Sequence, residues 1–125
     1  MNDWSDADIT AIAATDDLHV APFRADGVTL GTPTWIWSVV VGGRLFVRAY
    51  HGEKSRWYRS AIEQQAGRIT AAGRTVDVAF APADPVFESR IDDAYRAKYA
   101  RNSYLESMVT GGPKAATLEI TPRDA

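Results

Sequence analysis

The segment YHGEKSRW, residues 50–57, holds the side chains of this chain that are best suited to bind an anion. A glycine is followed by two cations and a hydroxyl, Lys54, Ser55 and Arg56, where a helix is predicted to begin. Free backbone amides at a helix start attract anions, and charged hydrogen-bond donors strengthen that attraction. The segment therefore predicts a site for a phosphate or another small anion. A helix start with solvated basic side chains explains the same residues, and spacing alone favours that simpler interpretation.

This segment does not have the pattern of a nucleoside-triphosphate loop. Such a loop needs a glycine five positions before its Gly-Lys pair and a lysine directly after the second glycine. Val47 occupies the earlier position, and Glu53 separates Gly52 from Lys54. The sequence therefore argues against an ATPase.

Four other side chains are candidates for contact with a ligand at this segment. Arg48 precedes the loop on a predicted strand, on the same side as Tyr50, and adds a third cation. His51 lies in the loop itself, and Trp35 and Trp37 could enclose a flat ring by stacking. His51 and His19 are the only histidines, and neither has a partner at ligand spacing, so no metal site is predicted.

Catalysis by side chains alone finds little support. Tyr95 and Tyr99 are one helical turn apart beside Lys98, which could make a proton donor, although packing explains them better. Asp92 and Asp93 occupy adjacent helix positions and cannot converge on one substrate. With no cysteine and two histidines, no catalytic triad can be assembled.

Composition limits the class of protein. At 125 residues, 46% of them hydrophobic, residues 1–125 are predicted to form a single domain. The formal net charge of −2 provides no overall basic field for a nucleic acid or an anionic membrane. The sequence has no cysteine, signal peptide or membrane-spanning run, which together predict a cytoplasmic protein.

Hydrophobic alternation and turn residues predict a mainly β protein, a six-stranded antiparallel barrel with peripheral helices. The predicted strands are 18–24, 34–41, 44–50, 68–72, 74–81 and 115–121. Helices are predicted over 5–14, over 55–66 with Gly67 as its end, and from Asp84-Pro85 onward. Gly42-Gly43 predicts a hairpin turn. Ten side chains are predicted to be mostly buried: Trp35, Ile36, Trp37, Val39, Val40, Val47, Val78, Phe80, Leu118 and Ile120.

The stretch "YHGEKSRWYRSA" resembles the strand, loop and helix of the pyridoxamine-phosphate-oxidase-like FMN-binding split barrels. In that superfamily a Ser-Arg pair at the helix start holds the flavin phosphate, and Ser55 and Arg56 match it. Tyr50 and His51 match the residues beside the isoalloxazine and the phosphate. The resemblance implies a split barrel like that of the FMN-binding proteins.

Two narrower resemblances point the same way. Gly52 and the pair Trp57-Tyr58 are similar to the deazaflavin-dependent nitroreductase branch of this fold. The stretches "GTPTWIWSVVVGGRLFVRAYHGEKSRWY" and "IDDAYRAKYA" resemble the bacterial domain-of-unknown-function family 2255 across nearly the whole chain. That family implies a fold and no activity.

These resemblances imply a homodimer that binds FMN or a deazaflavin and transfers hydride to a small unsaturated or nitro-type substrate. Together with the loop analysis they give the candidate cofactor-binding residues: Arg48, Tyr50, His51, Lys54, Ser55, Arg56, Trp57 and Trp35. The alternative is a cofactor-free split barrel that binds a small anionic or aromatic ligand, or serves only as a dimeric module. It is favoured by Thr34-Trp35 and Trp57, which stand where the flavin oxidases have basic residues.

Overall fold

The computed structural model describes residues 3–123 and is built around one antiparallel sheet of seven strands. The strands are β1 (His19–Pro22), β2 (Thr34–Trp35), β3 (Ser38–Val41), β4 (Arg44–Arg48), β5 (Ala66–Ala71), β6 (Arg74–Pro82) and β7 (Thr117–Pro122). The helices are α1 (Asp6–Ala13), α2 (Arg56–Gln64), α3 (Glu88–Lys98), α4 (Leu105–Met108) and α5 (Gly111–Ala115). Short 3₁₀ turns, Gly52–Lys54 and Pro85–Phe87, precede α2 and α3.

The sheet is curled, because its two edges are neighbours in the chain. Its strand order is β2-β1-β5-β6-β7-β4-β3, so β2 and β3 are the edge strands. Only residues 36 and 37 separate them, and two residues span a short distance even when fully extended. The result is a half-barrel with peripheral helices, as predicted.

The predicted single strand 34–41 is wrong and accounts for the seventh strand. Its first part pairs with β1, through Trp35 opposite His19, and its second part pairs with β4, through Ser38 opposite Val47. The break lets one stretch of chain serve both sheet edges. Trp35 is correspondingly exposed, which contradicts its predicted burial, and its indole N–H donates to the carbonyl of Asp16.

The apolar side chains form two clusters on opposite faces of β3 and β4. Ile36, Leu45 and Val47 belong to the main core with α1 and α2, whereas Trp37 and Phe46 pack under α3 and α4. Both faces of this part of the sheet therefore carry buried apolar side chains. The other predicted core residues are buried as well, except that Val40 is only partly buried.

Local signals set most of the turns and helix ends. Gly42 and Gly43 form the β3–β4 hairpin turn with φ of 58° and 77°, a conformation that suits glycine. The Ser5 hydroxyl accepts a hydrogen bond from the Asp8 amide at 3.2 Å and caps α1. The predicted end of α2 at Gly67 is wrong. Gln65 ends that helix in the left-handed conformation, and Gly67 lies within β5.

No helix within residues 3–123 is both long enough and apolar enough to cross a lipid bilayer.

Candidate functional site

A cleft of about 650 Å³ opens where the break between β2 and β3 faces the start of α2 and the segment that carries α4. Its lining contains seven of the eight predicted cofactor-binding residues: Arg48, Tyr50, His51, Ser55, Arg56, Trp57 and Trp35. Lys54 is exposed on the 3₁₀ turn and is not part of the lining. The fold thus gathers residues from positions 35 to 57 of the sequence around one space.

The start of α2 has no side-chain cap. Ser55 occupies the N-cap position and is buried, yet its hydroxyl accepts no hydrogen bond from the helix amides. The starts of α1 and of the 3₁₀ turn before α3 differ, because the side chains of Ser5 and Asp84 cap them. The Ser55 hydroxyl and the first amides of α2 therefore remain available to an anion in the cleft.

Gly52 lets the loop before α2 pack closely against α5. Its φ of +71° belongs to the left-handed region that glycine adopts without strain. A Cβ at this position would lie 3.3 Å from backbone atoms of Gly112. The glycine thus serves backbone packing, which fixes the direction in which the loop enters α2.

Aromatic side chains form the outer wall of the cleft. Trp35, Tyr50 and Tyr104 are all exposed there. The rings of Tyr50 and Tyr104 meet edge to face, with centroids 5.8 Å apart. The ring of Tyr50 also meets the ring of His51 edge to face, with centroids 5.1 Å apart.

Arg48 is a buried residue of the cleft lining, and three hydrogen bonds fix its side chain. Its Nη1 donates to Asp92 Oδ1 at 2.6 Å and to the carbonyl of Met108 at 2.9 Å, and its Nε donates to Thr117 Oγ1 at 3.0 Å. Its Nη2 has no partner among the described residues. Asp92 already pairs with the charge of this third cation, and the assignment of Arg48 to a ligand stays a prediction. One buried donor remains, and leaving such a donor unpaired costs about 1–3 kcal/mol.

Asp92 connects this arginine to α5. Its second carboxylate oxygen lies 3.1 Å from Nζ of Lys114, which also reaches Glu88 at 3.3 Å. Burial acts to raise the pKa of Asp92, but hydrogen bonds from Arg48 and Lys114 and their charges outweigh it, so the pKa lies below 3.8. Asp92 is therefore charged at neutral pH.

Two tyrosines predicted as structural residues hold the base of the cleft. The ring of Tyr99 stacks on Trp37 with centroids 4.0 Å apart, and burial raises its pKa to about 12. Tyr95 is fully buried, its hydroxyl donates to the carbonyl of Trp37 at 3.3 Å, and burial raises its pKa further. Nζ of Lys98 donates to the carbonyl of Ser38 at 2.8 Å. These contacts hold Trp37, which lines the cleft, in one position.

Sequence reasoning missed the part of the site that follows α3. Asn102, Tyr104 and Met108 line the cleft from a segment that was not assigned an element. α4 and α5 are only four and five residues long, so neither shows a helical period. A tyrosine directly after the polar residues 101–103 was the signal that the sequence offered. Among residues 3–123, no group of three or more histidine and carboxylate side chains is placed to hold a metal ion.

Comparison with known proteins places this cleft on a recognised fold. A family model described as "Uncharacterized protein conserved in bacteria (DUF2255)" matches residues 8–120. No curated protein matches the chain. The crystal structure of a conserved hypothetical protein from Mycobacterium tuberculosis is similar with a TM-score of 0.63 at 13% identity, over 98% of this chain and 83% of that one. A protein from Mesorhizobium loti described as FAD-binding is similar with a TM-score of 0.51 at 15% identity, over 98% and 91% of the two chains. At these identities the two structures confirm the fold class alone.

Proposed function

This chain belongs to the DUF2255 family of uncharacterised bacterial proteins, and we propose that it is a flavin- or deazaflavin-dependent oxidoreductase that transfers hydride to a small unsaturated or nitro-type substrate. One observation carries the proposal: the uncapped start of α2 presents Ser55 and Arg56 to the cleft. A helix start beside a cation favours a phosphate. The description of the Mesorhizobium loti neighbour as FAD-binding supports a flavin as the ligand.

The residues of the cleft fit the two chemical parts of a flavin nucleotide. The α2 amides, the Ser55 hydroxyl and the Arg56 guanidinium would bind the phosphate. Trp35 and Tyr50 offer aromatic surface to the ring, and His51 lines the cleft next to Tyr50. A cleft of about 650 Å³ also falls within the roughly 300–1,000 Å³ range of small-molecule sites.

In this proposal the flavin and the protein contribute differently to the reaction. A bound flavin supplies the hydride chemistry, which resides in its ring system. The protein binds and orients the ligand, and the aromatic wall keeps water away from part of the cleft. Because the chemistry resides in the cofactor, the proposal requires no side-chain nucleophile.

A cofactor-free split barrel that binds a small anionic or aromatic ligand is the second candidate. Arg48 is already paired with Asp92, and residues 34 and 35 bring no cation to the cleft. A singly charged anion at the α2 start needs fewer cations than the phosphate of a flavin nucleotide, which carries a charge of about −2. Cofactor titration separates the two candidates.

The decisive experiment compares FMN with riboflavin, which has the same ring system and lacks the phosphate. Replacing Arg56 by alanine is expected to weaken FMN binding about ten- to a hundredfold, since a charged hydrogen bond contributes about 1.5–3 kcal/mol. Riboflavin binding should be almost unchanged. Fluorescence titration of the parent and the variant measures both affinities, and a deazaflavin coenzyme and FAD are titrated in parallel.

Arg59→Ala is the matched control, because Arg59 lies one turn further along α2, is exposed and does not line the cleft. Its FMN affinity should equal that of the parent. Equal FMN affinities in the parent and in Arg56→Ala would contradict the phosphate assignment. If none of the cofactors binds to the parent, the flavin proposal is wrong and the cofactor-free candidate is left standing.

We also propose a homodimer, since the resemblance to split barrels implies one and the cleft rim exposes aromatic side chains that a second subunit could cover. Sedimentation velocity at micromolar concentration should give about twice the 13.7 kDa mass of one chain. A species of single-chain mass would contradict this proposal.

A further inference from the structure

The exposed aromatic side chains of the described chain are concentrated at this cleft. Trp35, Tyr50 and Tyr104 are 52%, 43% and 58% exposed, and all three line it. The other large apolar side chains with comparable exposure in residues 3–123 are aliphatic and lie elsewhere. Aromatic surface in a concave site favours a planar ring as its partner.

The charged groups of the lining are cationic. Arg48 and Arg56 belong to it, whereas no aspartate or glutamate does. Arg56 is assigned above to the α2 start, which leaves Arg48 as the second recognition element. Its three existing hydrogen bonds fix the guanidinium, so the unpaired Nη2 is a donor with a preset direction.

Access to this donor depends on a neighbouring side chain. The Arg48 side chain is 0% exposed, so a ligand reaches Nη2 only when a neighbouring group moves aside. Met108 lines the cleft, and its carbonyl accepts from Nη1, which places this residue beside the guanidinium. Methionine is unbranched and adapts its shape at low cost.

We propose that the cleft binds a planar aromatic carboxylate, with its ring against Tyr104 and a carboxylate oxygen bonded to Nη2 of Arg48, which leaves Trp35 and Tyr50 to the flavin ring. This assignment names a substrate class and rests on the proposed function for its redox chemistry. The binding itself requires no flavin. A carboxylate is preferred over a neutral oxygen because a charged acceptor roughly doubles the strength of the bond.

Three probes separate the contributions of ring and charge. Benzoate is planar and anionic, cyclohexanecarboxylate has the charge without the planar ring, and benzyl alcohol has the ring without the charge. By calorimetry, benzoate should bind about tenfold or more tightly than benzyl alcohol and about threefold or more tightly than cyclohexanecarboxylate. Equal affinities for benzoate and either other probe would overturn the assignment.

Variants test the two contacts separately. Arg48→Lys keeps the charge but loses the fork of donors, and it should weaken benzoate binding about tenfold or more. Arg44→Lys on the same strand is its control, because Arg44 pairs with Glu119 at the surface and does not line the cleft. Tyr104→Ala should weaken benzoate binding about threefold to tenfold, and Val86→Ala, exposed outside the cleft, should have no effect. Unchanged affinity in either cleft variant would overturn the corresponding contact.

A measurement on the parent protein keeps the test valid if Arg48→Lys fails to fold. The NMR signal of the Arg48 guanidinium should shift on addition of benzoate and stay unchanged with benzyl alcohol. An unchanged signal at saturating benzoate overturns the assignment. These measurements use protein without flavin, so benzoate binding without binding of FMN, FAD or the deazaflavin would refute the proposed function alone. Binding of one of these cofactors without benzoate binding would refute this inference alone.

Discussion

Replacing Asp92 by alanine is expected to lower the free energy of unfolding by about 3–5 kcal/mol, because it leaves the buried Arg48 charge without its partner. The Arg48 side chain has no exposed surface and lies 2.6 Å from Asp92 Oδ1. The same substitution removes a partner of Lys114 and thereby one link between α3 and α5. Urea unfolding followed by circular dichroism measures the loss.

The adjacent aspartate provides a matched control on the same helix. Asp93 is 79% exposed, and its pair with Arg96 has a separation of 3.4 Å. Asp93→Ala should therefore change the free energy of unfolding by less than about 0.5 kcal/mol. If the two alanine variants lose the same stability, the buried pair has no special role in this fold.

Replacing Gly67 by alanine is expected to cost about 3 kcal/mol of stability, at the upper end of overpacking effects. A Cβ at this position would lie 2.5 Å from the carbonyl oxygen of Ala21 and 2.6 Å from Cα of Pro22. Both are backbone atoms of β1, so β1 and β5 would have to separate. Because β2 pairs with β1, the disturbance should reach the β2 side of the cleft.

Gly73→Ala is the control, because glycine at this position is needed for the backbone conformation and not for close packing. Its φ is +74°, and nothing lies within 4 Å of a Cβ built there. Strain from the left-handed conformation should cost about 1 kcal/mol. Thermal unfolding of the two variants should show a clearly larger fall in Tm for Gly67→Ala, and equal falls would contradict the packing argument.

The sequence predicted the elements whose signals lie within a few residues. Gly42-Gly43 forms the predicted hairpin, Ser5 caps α1, and α2 begins at the loop that was read as an anion site. Two such local readings were nevertheless wrong, the helix end at Gly67 and the single strand over 34–41. Gly67 was taken as a helix end, and the structure shows instead that its missing side chain lets β1 and β5 approach.

The fold class, the β3–β4 hairpin and the helix start after Ser55 were predicted from the sequence itself, since alternation, turn residues and helix starts depend on near neighbours. The tertiary structure alone decided that the strand over 34–41 breaks and exposes Trp35, because its two parts pair with different strands. It also decided that Arg48 pairs with Asp92, 44 residues away, and that its Nη2 has no partner within residues 3–123. Finally, it brought Tyr104 to the cleft. Such contacts join segments distant in the chain, and their partners follow from the packing of the whole sheet, which no local pattern specifies.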